Sequence, residues 1–162
     1  MKTNACRILD ALHIAYTTRE YTVDPKDLSG QTVAKKIGLP EGQVFKTLLS
    51  RIDTGENVFA VLSVAQELDT KKLAAATGGH RAKLAPLDEV QPLTGYVRGG
   101  VTVFGSKKEF PVFVDSSIEK FDIISVSAGV RGLQILLAPQ DYLRAARATV
   151  LPLATAPAGG AQ

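Results

Sequence analysis

A lysine set inside an apolar strand pattern, Val44-Phe45-Lys46-Thr47-Leu48-Leu49, is the first position with chemical potential. Such a lysine either reaches solvent or extends its ammonium into a cleft, where it can hold an anion or steady developing negative charge. From the pattern alone, solvent is the commoner outcome. A second segment, GYVRGGVTVFG at residues 95–105, places four glycines in eleven residues. Gly99 and Gly100 would let a ligand approach main-chain N–H groups closely, and such groups bind oxyanions or phosphates. A bulge or tight turn uses glycine equally well. A third segment, Val126-Ser127-Ala128-Gly129, carries Ser127 out of a strand into a glycine loop, which a hairpin turn also explains.

Other familiar chemistry is missing. The chain has no Gly-x-Ser-x-Gly elbow, no Walker phosphate loop, no Gly-x-Gly-x-x-Gly and no His-Glu-x-x-His. Ser117-Ile118-Glu119-Lys120 matches Ser-x-x-Lys without its companion motifs and reads as a chance match. The single cysteine, Cys6, falls in the first helix pattern and reads as a small packing residue. His13 and His80 have no helix-spaced partners; His80, between Gly79 and Arg81, reads as exposed or as a minor phosphate contact. One cysteine and two histidines exclude a disulfide framework and a His/Cys metal cluster, and no cofactor is expected.

These positions must be held by a folded body, and 162 residues, 45% of them hydrophobic, suit one domain with a substantial core. No apolar run approaches the ~18 residues of a membrane span. The N-terminus enters an amphipathic pattern without an apolar signal core, so a cytoplasmic protein is expected. Net charge is +3, but residues 71–108 hold seven basic residues (Lys71, Lys72, Arg81, Lys83, Arg98, Lys107, Lys108) against Asp88 and Glu89. A positive middle on a slightly acidic body suits an anionic partner, or is a solvated face with none.

Thr3 or Asn4 caps a first helix through about His13. A strand over 15–23 ends at Asp24-Pro25. Ser29 to Ile37 reads as a helix closed by Gly38. Val44–Ile52 and Val58–Val64 form a hairpin around Asp53-Thr54-Gly55-Glu56-Asn57. Asp69 caps a helix to about Thr77, a short strand follows at 81–85, and Pro86 opens one helical turn that Pro92 ends. Strands are expected at 112–114, 123–126 and 133–137, and a last helix from Pro139 to about Ala148. Residues 1–150 would form the domain, and 151–162, rich in Pro, Gly and Ala, a disordered tail. Short turns between interspersed strands predict an α+β class.

Four segments, in order and at family spacing, resemble the YbaK/EbsC family over about residues 3–148. They are Lys46-Thr47-Leu48-Leu49, Leu68-Asp69-Thr70-Lys71-Lys72-Leu73, GYVRGGVTVFGSKK and VSAGVRGLQI. Members are stand-alone aminoacyl-tRNA deacylases, similar to the editing domain inserted in bacterial prolyl-tRNA synthetases. The resemblance implies a single α+β domain with a mixed, largely antiparallel, barrel-like sheet surrounded by helices. It also implies hydrolysis of the ester joining a mischarged amino acid to the tRNA 3′ end, with no metal. The lysine matching Lys46 is the residue most tied to activity. Tyr21, Gly100 and Ser127 match residues lining the same pocket, and Thr47, Gly99 and Gly129 are expected beside them.

The expected substrate is Cys-tRNA(Pro), with Cys-tRNA(Cys) as a second. Ala-tRNA(Pro), another small amino acid, or a non-catalytic tRNA- or synthetase-binding module are the alternatives. An aminoacyl ester is already activated, so positioning and charge stabilisation matter more than a protein nucleophile. Lys71, Lys72, Arg98, Lys107 and Lys108 would meet acceptor-stem phosphates, and prolyl- or cysteinyl-tRNA synthetase would be a candidate partner. Two departures would border the expected pocket and bear on which amino acid it accepts. Gln134 stands where family members often have aspartate, and Thr102-Val103-Phe104-Gly105 stands where they often have Ser-Pro-Leu-Gly.

Overall fold

The computed structural model describes residues 2–156. Helices α1 (Asn4–Ala11), α2 (Gly30–Ile37), α3 (Thr70–Ala76), α4 (Leu87–Thr94) and α5 (Pro139–Ala146) are interspersed among eight strands. The strands are β1 (Thr17–Glu20), β2 (Phe45–Ile52), β3 (Asn57–Ser63), β4 (Ala82–Leu84), β5 (Val112–Asp115), β6 (Ile124–Ser127), β7 (Leu133–Leu137) and β8 (Thr149–Leu151). The class is α+β.

Two sheets form, not one barrel. One runs β1-β7-β6, and the other β4-β2-β3-β5-β8. Most pairings are antiparallel, but β3–β5 and β5–β8 are parallel. The sheets touch through a parallel bridge between Val44 and Ser125 and do not close around each other. The main core lies between them, built from Leu9 of α1, Phe45 and Leu49 of β2, Phe59 and Val61 of β3, Ile135 of β7 and Tyr142 of α5. Helix α2 packs Val33 and Ile37 against Val44 and Val64, and α3 packs Leu73 against Ile52, Val58 and Ala60. The larger sheet is thus covered on both faces, which is why Val58–Ser63 is buried without alternation.

Local chemistry sets the helix ends. Side chains of Thr3, Ser29 and Asp69 accept hydrogen bonds from the first turns of α1, α2 and α3. Gly38 closes α2 in the left-handed region, which glycine adopts without a Cβ penalty.

Several expectations are corrected. Strand β1 is only four residues long: Thr17–Glu20 pair with Leu136–Leu133, and past Glu20 the partner chain leaves β7 for the loop that precedes Leu133. Pro92 does not end α4. It lies exposed in the second turn, while the Thr94 hydroxyl donates to the Val90 carbonyl at 2.7 Å and Gly95 N–H to Gln91 at 2.8 Å. The boundary at 150 also moves. Thr149–Leu151 pairs with β5, Leu153 is fully buried against α3, and Ala154 bridges Leu68. A strand of three residues among Pro and Ala has too little pattern to stand out. The rest of the expected tail, 157–162, lies outside the described residues. Among those described, no helix is long and apolar enough to cross a membrane.

Candidate active site

A groove of 470 Å³ opens beside the first half of β2. Strand β4 pairs only with Ser50–Ile52, leaving the stretch before it open on that side. Main-chain bonds alternate along β2: Val44 O accepts from Val64 on the β3 side, and Leu49 O accepts from Ala85 on the other. By that alternation the N–H and C=O of Thr47 face the open edge. The groove's walls come from Ser29, Gly30 and Val33 of the α2 end, Leu87 and Val90 of α4, Arg98 and Gly99 of the loop, and Ser127 and Gln134 of the smaller sheet. Gly30 is required there, because a Cβ would collide with the Val64 side chain.

Lys46 lines this groove and does not run free into water. Its ammonium donates to the main-chain carbonyl of Gln66 at 2.8 Å. Burial pushes its pKa below the ordinary lysine value, and the Glu67 carboxylate partly opposes that shift. The side chain is half-buried, with a cation at a largely apolar groove.

Ser127 also lines the groove. Its Oγ accepts the Gly129 N–H at 3.1 Å, which leaves the hydroxyl proton available to a ligand. Gln134 is 5% exposed, and its Oε1 accepts from the Ser125 hydroxyl at 2.7 Å. An uncharged amide thus borders the pocket.

The two glycines of the loop differ. Gly99, at φ 87°, lines the groove under the Arg131 side chain, whose Nε donates to the Arg98 carbonyl at 2.8 Å. Gly100 is buried behind it, and its N–H is spent on the Val97 carbonyl at 2.8 Å. The expectation that both N–H groups face a ligand is therefore corrected for Gly100, whose N–H closes a turn. Gly129, at φ 99°, packs on the Tyr96 ring, where an added Cβ would sit 3.1 Å from a ring carbon. Tyr21 is not among the lining residues, but it packs in one cluster with Val33, Val44 and Val64, which are.

The basic residues separate into two places. Arg98 and Arg131 flank the groove, with Lys107 beside Gly95 at the base of the same loop and Lys108 following it. Lys71 and Lys72 sit exposed on α3, where the Lys72 ammonium donates to the Ala154 carbonyl at 2.9 Å. Arg51 grips Glu89 through two nitrogens, holding α4 against β2. Cys6 is 1% exposed in the main core and is not a groove residue. Among the described residues, no group of three or more His, Cys, Asp or Glu forms a metal-binding cluster.

Sequence reasoning missed Gln66 and Glu67, which act on the Lys46 ammonium, and Asp115, which holds the Gln66 side chain. A carbonyl acceptor leaves no trace in residue type, so only Asp115, a carboxylate ending an apolar strand, offered a signal.

Comparisons with known proteins fit this geometry. The profile of the aminoacyl-tRNA editing domain matches residues 25–145. EbsC of Enterococcus faecalis, named as a candidate Cys-tRNA(Pro)/Cys-tRNA(Cys) deacylase, is 39% identical over 142 residues, covering 88% of this chain and 87% of that one. The multifunctional Ser/Thr-tRNA deacylase ProXp-y of Escherichia coli K12 is 33% identical over 121 residues, 72% of each chain. A crystal structure of a candidate trans-editing enzyme for prolyl-tRNA synthetase superposes with a TM-score of 0.79 at 22% identity, covering 96% of this chain and 99% of that one, and shows the shared fold.

Proposed function

Because this chain belongs to the aminoacyl-tRNA editing domain family, an aminoacyl-tRNA deacylase family, we propose that its substrate is Cys-tRNA(Pro), with Cys-tRNA(Cys) as a second. The observation that carries the reading is the ammonium of Lys46, half-buried at a groove that presents donors from Ser127 and the Thr47 main chain. A cation held there stabilises negative charge growing on an ester carbonyl or holds the tRNA's terminal phosphate. Burial strengthens either interaction, because less water screens it.

No nucleophile of the chain is needed. The cysteinyl thiol attacks its own ester carbonyl, the C–O bond to the ribose breaks, and the ribose oxygen takes the proton. Water then opens the cyclic thioester to free cysteine. The remaining roles are orientation by Ser127, Gly99 and Thr47 and a pocket that excludes larger side chains. Tyr21, through its cluster with Val33 and Val64, shapes the groove wall. The loop cations Arg98, Lys107 and Lys108 meet acceptor-stem phosphates, with Lys71 and Lys72 as a second contact. A prolyl- or cysteinyl-tRNA synthetase would present the substrate, and the reaction would run in the cytoplasm, where charged tRNA is used.

A Ser/Thr-tRNA relative makes Ser-tRNA(Pro) the sharpest rival, since it fits the same space without a thiol. Hydrolysis of Cys-, Ser- and Ala-tRNA(Pro) by the purified protein tests the choice. Cys-tRNA(Pro) should be cleared much faster than the other two. Equal rates on Ser-tRNA(Pro) or Ala-tRNA(Pro) would reject thiol attack and move the reaction to water.

A further inference from the structure

Behind Lys46 lies a network that the reaction itself does not use. Gln66 sits in the turn after β3, and its main-chain carbonyl receives the Lys46 ammonium. Its side chain bonds on both ends. The amide Nε2 donates to Asp115 Oδ2 at 3.2 Å, while Oε1 accepts from Ser63 N–H at 3.2 Å and from the Ser117 hydroxyl at 3.3 Å. Asp115 is 4% exposed with no cation paired to it among the described residues. Instead it accepts from Leu153 N–H at 2.7 Å, Ala154 N–H at 3.2 Å and Ser117 N–H at 3.0 Å. Leu153 and Thr155 return the tie, through Asp69 N–H to the Leu153 carbonyl and Thr155 N–H to the Glu67 carbonyl.

We propose that Asp115 and Gln66 are positioning residues for Lys46, anchored by the segment Leu153–Thr155. A buried carboxylate without a cation is costly unless hydrogen bonds replace its water. Here it organises three chain segments around one turn, and that turn aims one carbonyl at one ammonium. A lysine side chain carries much rotamer freedom, and a fixed acceptor removes part of it before substrate arrives. Had the turn only to close β3, a glycine or a solvated side chain would serve as well.

This inference rests on the reading that Lys46 acts on the ester, so its test needs a readout that does not depend on activity. Spectra of 15N-labelled lysine Nζ, with the Lys46 signal assigned by its loss in Lys46→Arg, report the ammonium directly. Gln66→Ala keeps the carbonyl but removes both side-chain anchors. Asp115→Asn turns one acceptor into a donor facing the Gln66 amide. In each folded variant the Lys46 signal should shift and broaden, and its titration should move toward that of an ordinary lysine. The turnover of Cys-tRNA(Pro) should fall roughly 10- to 100-fold with KM within about twofold, as a misplaced catalytic group predicts. The pair Gln66→Glu with Asp115→Asn exchanges donor and acceptor, and should recover the Lys46 signal in part. An unmoved Lys46 signal and titration in both folded single variants would overturn the proposal. An unfolded single variant leaves the decision to the paired exchange, whose failure to bring back the Lys46 signal in a folded protein would also overturn it. Undiminished activity in Lys46→Ala would instead reject the role of Lys46, whatever the spectra show.

Discussion

Gly100 faces Val130 so closely that a Cβ added to it would lie 3.2 Å from both the Cα and the carbonyl carbon of Val130. Backbone meets backbone there, and neither side has a flexible end that can give way. Gly100→Ala should therefore push the loop carrying Arg98 and Gly99 away from the segment carrying Gly129 and Arg131. Overpacking of this kind costs roughly 1–3 kcal/mol. A urea titration should show the loss, and deacylation per folded molecule should fall as well. Full activity with unchanged stability would mean the loop can move without consequence.

Asp115 gives the fold a defined response to acid. Burial alone would raise its carboxyl, but hydrogen bonds from Leu153, Ser117 and Gln66 outweigh burial and hold its pKa below the ordinary value. A depressed carboxyl contributes stability that is present above the unfolded pKa, about 3.9, and is lost as pH falls through the folded one. The stability difference between the natural protein and Asp115→Asn should be full near neutrality and shrink as pH drops below about 4. A difference that grew in acid would contradict this sign.

Tyr142 is fully buried, and among the described residues its hydroxyl makes no hydrogen bond of good geometry, although the Thr47 side chain lies near it. Burial pushes its pKa well up, so the group stays neutral. Tyr142→Phe keeps the edge-on packing with Phe104 and deletes the unsatisfied hydroxyl. The variant should be as stable as the natural protein or more so, by up to about 1 kcal/mol, as a thermal melt would show. A loss of more than that would show that the hydroxyl is bonded, with the Thr47 side chain as its nearest candidate partner.

Contacts with tRNA phosphates have their own signature. Arg98→Gln, Lys107→Gln and Lys108→Gln should each weaken binding whatever the amino acid. Each should flatten the slope of log affinity against log salt by about 0.7–0.9. Lys71→Gln and Lys72→Gln test whether α3 makes a second contact. Unchanged slopes in all five would make these residues a solvated face.

The elements were legible where local chemistry is strong. Thr3, Ser29 and Asp69 cap helices at the expected places, and the β2–β3 hairpin keeps its turn. What stayed hidden depends on distant partners. Nothing in PLATAP indicates that Leu153 fills a core gap under α3, or that its N–H meets Asp115. The split into two sheets rests on which edges find each other, which hydrophobic pattern leaves open. At the groove, residue type suggested Lys46, Gly99 and Ser127. It misjudged the Gly100 N–H, because an internal turn and a ligand site ask the same of a glycine. It was silent on Gln66, whose contribution to Lys46 is a main-chain carbonyl.

In the proposed reaction the Lys46 ammonium at the groove drives ester cleavage. The most direct measurement is the single-turnover rate on preformed Cys-tRNA(Pro) for the natural protein, Lys46→Ala and Lys46→Arg, corrected for spontaneous hydrolysis, with circular dichroism and melting to confirm folding. Removing one group that stabilises transition-state charge predicts a loss of roughly 10²–10³-fold in Lys46→Ala. Lys46→Arg should recover little, because a planar guanidinium cannot occupy the point position 2.8 Å from the Gln66 carbonyl in the same way. A folded Lys46→Ala protein that clears Cys-tRNA(Pro) at the natural rate would contradict the account.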